Sequence, residues 1–343
     1  MKQILNTLYI QTQGTYIHLD HDTLKLQVEK ETKFQVPLLH LGGIVAFGNV
    51  LLSPFLIHRC AEDGRSLVWL SQYGKFRARL SGSTTGNILL RRSQHAALDN
   101  PQTTLEIARY MVAGKLQNTR NILMRAAREA QEEGDRQALK AAAKIHADSI
   151  QSAEKASDLD KLRGTEGYAA KSYFAAFSSM VRTNRMVFEF VERSRRPPRD
   201  PINALLSFVY TLLVNECVSA CEGVGLDPQM GFLHTLRPGR PALALDLMEE
   251  LRAPLADRLV LTLINRGQIT ADDFIDRPGG AIYLTEDGRK TLLSAYQKRK
   301  QEELLHPIVN EKMPMGLVPH VQARLLARHL RGDVPHYQPF ILR

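Results

Sequence analysis

The sequence predicts an α+β fold, a small N-terminal β domain followed by a larger all-helical C-terminal domain. Three observations carry this. Apolar and polar residues alternate through much of the first 80 positions, as half-buried strands require. A run of small residues, Ser81-Gly82-Ser83-Thr84-Thr85-Gly86, then breaks the pattern. From Asn87 onward the apolar residues recur at helical intervals. The expected division is a β-rich domain over 1–80, a linker over 81–86 and a helical domain over 87–343. A chain of 343 residues suits about two domains and can bury a core without disulfides or metals to hold it.

The elements follow in order. Leu24, Leu26 and Val28 alternate with Lys25, Gln27 and Glu29, and Asp20-His21-Asp22-Thr23 has the composition of a hairpin tip joining this strand to one through Tyr16. Phe34–Leu38 and Gly43–Phe47 are further strand candidates. Ser53 to Asp63 reads as one short helix, with Ser53 as N-cap and Pro54 in the first turn, where a missing N–H costs nothing. Ser66–Leu70 and Lys75–Leu80 return to strand. Beyond the linker, Leu105, Ala108, Val112, Leu116, Ile122 and Ala126 line one long amphipathic helix. Helical patterns recur over 136–156, 158–181, 201–223, 254–266, 287–304 and 317–331. A basic, proline-punctuated loop, Arg193-Ser194-Arg195-Arg196-Pro197-Pro198-Arg199, separates two of them, and no internal repeat is visible.

Composition narrows the function classes. Hydrophobic residues are 44% and charged residues 24%, which excludes a disordered or collagen-like chain. Lys and Arg outnumber Asp and Glu by 45 to 36, a net charge of +9, and such an excess suits a polyanionic partner, nucleic acid or an acidic membrane surface. No stretch approaches the roughly 18 uninterrupted apolar residues of a membrane span, so no membrane partner is expected. The segment from Met1 to Asn6 does not read as a signal peptide. Cys60, Cys217 and Cys221 are sparse and lack zinc-knuckle spacing. Cys217 and Cys221, four apart in an apolar helix, read as packing residues, and a reducing cytoplasmic setting is expected.

Several motifs are absent. There is no GxxxxGK[ST], no HExxH and no GxSxG, and Gly223-Val224-Gly225 does not complete a dinucleotide fingerprint. His18-Leu19-Asp20-His21-Asp22 gathers four metal-ligating side chains, but strand alternation sends neighbours to opposite faces, which favours an ordinary polar turn. Arg163-Gly164-Thr165-Glu166-Gly167 sets one carboxylate between two glycines inside a helical run. Glycine costs a helix about 1 kcal/mol relative to alanine, so the pair points to close backbone approach or ligand access. Finally, Gly231-Phe232-Leu233-His234 leads into Ala242–Arg252. If that run is helical, Asp246, Glu249 and Glu250 stand at i, i+3 and i+4 on one face. A histidine beside clustered carboxylates suits a divalent cation, which would offset their repulsion and polarise phosphate oxygens. The plain alternative is an acidic, solvated helix face.

At these segments the chain resembles the CRISPR adaptation integrase family, the DNA-integrating subunit of bacterial antiviral spacer acquisition. The resemblance rests on Arg163-Gly164-Thr165-Glu166-Gly167 followed by Tyr173-Phe174, on Asp200-Pro201-Ile202-Asn203-Ala204-Leu205-Leu206-Ser207, on Gly231-Phe232-Leu233-His234, and on Ala242-Leu243-Ala244-Leu245-Asp246-Leu247-Met248-Glu249. Lys75–Leu80, Ala113-Gly114-Lys115-Leu116 with Asn118, and Tyr337-Gln338-Pro339-Phe340 also resemble family segments. The resemblance spans nearly the whole chain and is closest to members of type I systems of the C subtype.

The resemblance implies a metal-dependent DNA integrase and endonuclease, with 1–80 as a dimerisation domain and 87–343 as the catalytic domain. Glu166, His234 and Glu249 match the family's three metal ligands, for Mg²⁺ or Mn²⁺. Asp246 matches an acidic position that supports the site from one turn away, and Glu250 is expected in solvent. The implied partners are double-stranded DNA (the fragment and the repeat), a second copy of the chain, and a small ferredoxin-like CRISPR-associated protein bridging two dimers. The implied reaction is transesterification, in which a fragment's 3′-hydroxyl attacks a phosphodiester at a repeat boundary. Arg182, Arg185, Arg193, Arg195, Arg196, Arg199, Arg237, Arg240 and Arg252 are expected to hold backbone phosphates. Tyr168 and Tyr173 are candidates for stacking on DNA or for helix packing. Two other readings are a structure-selective DNA repair nuclease and a non-catalytic DNA-binding scaffold.

Overall fold

The computed structural model describes residues 6–82 and 87–342. A β-rich N-terminal part precedes a mostly helical one, the α+β organisation expected. Residues 1–5, within the segment read for a signal peptide, and residues 83–86 of the expected linker lie outside the described residues. The chain divides into two compact units. One takes the described residues up to 82 together with Tyr296–Gln301, and the other takes the remainder.

The first unit contains β1 (Thr7–Ile10), β2 (Thr15–Asp20), β3 (Thr23–Val28), β4 (Glu31–Pro37), β5 (Gly43–Phe47), β6 (Val50–Leu52), α1 (Pro54–Glu62), β7 (Ser66–Leu70) and β8 (Phe76–Arg79). One sheet runs β1-β5-β7-β8, parallel except at β8; the other runs β4-β3-β2-β6. The β2–β3 hairpin pairs Asp20 with Thr23, and His21 takes the positive φ of 54° that a two-residue turn demands. His18 stacks on Tyr16, while Asp20 pairs with Lys25 and His21, so this histidine-rich segment is a polar turn. Ser53 caps α1 by accepting from the Leu56 N–H. Ile17, Leu24, Ile44, Leu56, Cys60 and Leu67 form the shared core.

The second unit holds α2 (Ile88–Asp99), α3 (Pro101–Glu129), α4 (Glu133–Glu154), α5 (Leu159–Ala175), α6 (Pro201–Val224), α7 (Ala242–Leu251), α8 (Arg258–Asn265), most of α9 (Glu286–Gln301) and α10 (Val318–Leu330). It also carries two small antiparallel ribbons that the helical reading omits, β9 (Phe274–Arg277) with β10 (Ala281–Leu284) and β11 (Glu303–Leu305) with β12 (Lys312–Pro314). Side-chain caps set the main helix starts: Asn100 accepts from Gln102 and Thr103, Asp158 from Lys161, and Asp200 from Asn203. α5 ends at Ala175, short of the expected 181, and passes into a 3₁₀ turn over Phe177–Met180. α3 packs against α4, α5 and α7, burying Ile107, Met111, Val112, Leu116 and Leu123. α6 is by length and composition apolar enough to cross a membrane, although no single uninterrupted apolar run in it is long enough to show this. Its polar residues break the run, and the unit buries Leu205, Val209, Leu213, Cys217 and Cys221 against α7 and α10.

Candidate active site

The site begins with a glycine. A Cβ at Gly231 would stand 2.5 Å from the Ala242 carbonyl carbon and 2.6 Å from the Leu243 nitrogen, so only glycine lets this loop press onto the first turn of α7. Gln94 on α2 fastens the approach to the loop, donating to the Asp227 and Met230 carbonyls at 2.9 Å each. Arg163 on α5 donates to the Leu233 carbonyl at 2.7 Å. The fully buried Asp246 then collects the loop's N–H groups: Phe232 and Leu233 on Oδ2 at 2.6 and 3.0 Å, and His234 on Oδ1 at 3.0 Å. The same Oδ1 lies 2.6 Å from His234 Nδ1. A carboxylate can only accept, so Nδ1 carries a proton, and Nε2 faces away from Asp246.

Nε2 faces α7. His234 Nε2 lies 3.8 Å from Glu249 Oε1, which also receives Arg252 at 3.0 Å. Glu249 Oε2 lies 2.6 Å from Lys115 Nζ, and the same ammonium donates to Glu166 Oε1. Lys115 from α3, Glu166 from α5 and Glu249 from α7 thus meet at one point, with His234 on its flank. Burial alone would raise the Glu249 carboxyl, but Arg252, Lys115 and His234 overcome it and hold the group at about 2. Burial likewise opposes the Lys115 charge, and Glu249 and Glu166 keep that ammonium above the ordinary lysine value. Glu249 Oε2 is buried with no hydrogen-bond partner of acceptable geometry, only the ion-pair contact with Lys115. Among the described residues, no three His, Cys, Asp or Glu side chains stand as a ready-made metal cage; a lysine separates the two carboxylates.

Behind this point lies a second buried layer. Arg252 sits 5.1 Å over the Tyr210 ring, and Tyr210 and Tyr173 both donate to Asp257, at 2.6 and 2.9 Å. Burial lifts the Asp257 carboxyl to about 6 against the pull of those hydroxyls. Tyr173 is therefore a packing and hydrogen-bonding residue of the interior, while Tyr168 is exposed.

Several expectations change. Glu250 is not solvated: it is fully buried on the side of α7 turned toward the C-terminal tail, where it accepts from Tyr337, Gln322 and the Phe340 N–H. The one-face reading of Asp246, Glu249 and Glu250 fails with it, because the three carboxylates meet a loop, a lysine and the tail respectively. The C-terminal tail is anchored by the buried Tyr337 and Phe340. Gly114 makes room for it, since a Cβ there would lie 2.6 Å from Pro339 Cβ. Among the arginines, Arg182 pairs with Glu129, Arg185 with Asp135, Arg193 with Asn203 and Ser207, and Arg252 with Glu249. Arg195, Arg196, Arg199 and Arg237 remain exposed. A Cβ at Gly164 or Gly167 would meet nothing within 4 Å, so neither glycine answers to a contact inside the chain. Lys115 and Arg163 are the residues that motif reasoning did not assign to the site.

Residues 8–298 match the family described as CRISPR associated protein Cas1. The chain is 56% identical over 343 residues to the CRISPR-associated endonuclease Cas1 1 of Moorella thermoacetica, covering 100% of both chains. Among solved structures of similar fold, a casposase bound to integration product superposes with a TM-score of 0.83 at 22% identity, over 97% of this chain and 92% of that one. A Cas6-RT-Cas1–Cas2 complex gives a TM-score of 0.83 at 22% identity, over 99% of this chain and 36% of that one.

Proposed function

The chain belongs to the Cas1 family, and from that premise we propose that it is a divalent-metal-dependent DNA integrase and endonuclease that joins short DNA fragments into a CRISPR array. The observation that carries the reading is the convergence of Glu166 and Glu249 on one ammonium, with His234 Nε2 3.8 Å from Glu249 Oε1. Two carboxylates suit Mg²⁺ or Mn²⁺, an imidazole makes the set softer and well suited to Mn²⁺, and a Glu249 Oε2 that meets only an ammonium supports the fit. Such an ion, held by Glu166, His234 and Glu249, would supply Lewis-acid stabilisation to a scissile phosphate.

The chain's own residues do the rest. Asp246 fixes the His234 tautomer and aims Nε2 at the site. Arg252 orients Glu249 from behind. Arg195, Arg196, Arg199 and Arg237 face solvent and supply the positive surface that positions backbone phosphates without reading sequence. The reaction is transesterification: the 3′-hydroxyl of a fragment attacks a phosphodiester, one P–O bond forms as another breaks, and no nucleotide triphosphate is consumed. Dimerisation through the N-terminal β unit is supported by the apolar side chains it exposes, Phe34, Leu39, Leu51 and Phe55. A Cas2-type partner is supported by the Cas6-RT-Cas1–Cas2 complex of similar fold, and in this reading it is small and bridges two dimers.

The test is strand joining of a short duplex into a repeat-bearing target by purified protein and its small partner. Glu166→Ala, His234→Ala and Glu249→Ala are each expected to abolish joining, as is EDTA, with the fold and the dimer mass retained. Undiminished joining in any of the three folded variants would remove that residue from the site.

A further inference from the structure

The ammonium of Lys115 occupies the position at which two carboxylates from different helices converge. It donates to Glu166 Oε1 and lies 2.6 Å from Glu249 Oε2. Its side chain is 12% exposed, so little water screens the pair. Without a cation, Glu166 on α5 and Glu249 on α7 would repel across this gap. Arg252 reaches Oε1 of Glu249 and leaves Oε2 to Lys115 alone.

We propose that Lys115 is an exchangeable counter-ion: it holds the site together in the metal-free protein, and a divalent ion displaces its ammonium toward the bound DNA phosphate. This rests on Glu166 and Glu249 being metal ligands. A divalent ion approaches a carboxylate oxygen to about 2.0–2.2 Å. An ammonium beside the same two oxygens would share their lone pairs and repel the ion, so both cannot stay. The lysine stem has four rotatable methylenes and springs from a long, well-packed helix, so the head can leave while its root stays fixed. Arg252 stays on Glu249 Oε1, the two carboxylates take the divalent ion, and the displaced ammonium is drawn to the incoming phosphodiester, an anion that the metal-free site lacks. Lys115 is then a positioning residue with two consequences: it lowers affinity for the metal alone, and it couples metal loading to phosphate binding.

The experiment measures Mn²⁺ binding to the full chain by calorimetry and electron paramagnetic resonance. It compares the natural protein with Lys115→Met, Glu166→Gln and Glu249→Gln. Lys115→Met is expected to bind Mn²⁺ at least tenfold tighter, to melt lower without metal, and to gain more on metal addition than the natural protein. In the natural protein, acetylation of Lys115 followed by mass spectrometry is expected to speed up several-fold at saturating Mn²⁺, with other lysines unchanged. Equal or weaker Mn²⁺ binding by folded Lys115→Met, or an acetylation rate indifferent to Mn²⁺, overturns the exchange; the acetylation result decides alone if the variant does not fold. Mn²⁺ binding that both glutamine variants leave intact overturns the metal site and the exchange together. Binding lost in both but insensitive to Lys115→Met overturns the exchange only.

Discussion

Tyr337 donates its hydroxyl to Glu250 Oε1 over 2.6 Å, joining the C-terminal tail to the helix that bears Glu249. Gln322 and the Phe340 N–H complete the carboxyl's shell at 2.9 and 2.7 Å, and Asn118 on α3 binds the Glu250 and Phe340 carbonyls at 2.8 Å each. The tail is thus part of the fold that sets α7 against α3.

This buried carboxyl predicts a pH-dependent stability. Burial pushes Glu250 up to about 8 from an ordinary 4.5, against its three donors. The folded state therefore binds this proton more tightly than the unfolded chain. Its contribution is fully present below about pH 4.5 and is lost as the pH rises through about 8, on the order of a few kcal/mol in all. Glu250→Gln removes the titration while keeping the shape. Denaturant midpoints at pH 5 and pH 8.5 should differ less in the variant than in the natural protein. Asp257 has the same sign of shift and is common to both proteins, so it cancels. An undiminished difference would assign the titration to another group.

Asp246→Asn tests how the imidazole is aimed. The amide keeps the shape, but its NH₂ must face either a backbone N–H or the protonated Nδ1. His234 should then lose its fixed tautomer, visible in the nitrogen chemical shifts of the ring. Strand joining should drop on the order of 10- to 100-fold, as expected for losing the carboxylate behind a metal-binding histidine. Unchanged ring shifts together with full joining would show that Asp246 acts only as a cap for the loop.

The Asp246–His234 relationship was within reach of the sequence because both residues lie in one short segment, on either side of a turn leading into an apolar helix. Lys115 was harder: it is 51 positions from Glu166, on a helix read for its apolar period and for a family-like segment to which no role was attached. A signal was present. Lys115 falls between Met111, Val112 and Leu116 on the buried stripe of α3, where a lysine needs an anionic partner. Glu250 gave the same signal, lying between Leu247 and Leu251 on a helix buried along nearly its whole length. Acidic spacing says which side chains can share a face, and neighbouring apolar residues say whether that face meets water. The ribbons of β9–β10 and β11–β12 escaped for another reason, since strands of three or four residues are too short to show alternation.

The arginines separate into two experimental classes. Arg195→Ala, Arg196→Ala and Arg199→Ala combined should leave melting unchanged, weaken DNA binding, and reduce the slope of log affinity against log salt by up to about 3. Arg193→Ala should behave differently. It donates to Asn203 Oδ1 at 2.5 Å and to Ser207 Oγ at 3.1 Å, and it lies 5.5 Å from the Tyr210 ring centre. Its loss should cost about 2–3 kcal/mol of stability with little change in salt slope. A triple variant with the full slope would move the phosphate contacts elsewhere on the surface.

Glycine substitution separates the two motifs most sharply. A methyl at Gly231 meets backbone atoms at 2.5 and 2.6 Å and Asp246 Oδ2 at 2.7 Å, and none of these can retreat without breaking the cradle that holds His234. Gly231→Ala should therefore destabilise by about 1–3 kcal/mol, as overpacking does, and lose strand joining through misplacement of the imidazole. Gly164 lies in the interior of α5 with nothing within 4 Å of the new methyl. There alanine should stabilise the helix by about 0.5–1 kcal/mol. Melting temperatures of the two variants should move in opposite directions. If Gly164→Ala raises the melting temperature but weakens DNA binding, the open face beside Glu166 is where the nucleic acid approaches. If it raises the melting temperature and leaves binding intact, the strand reaches the site from another side.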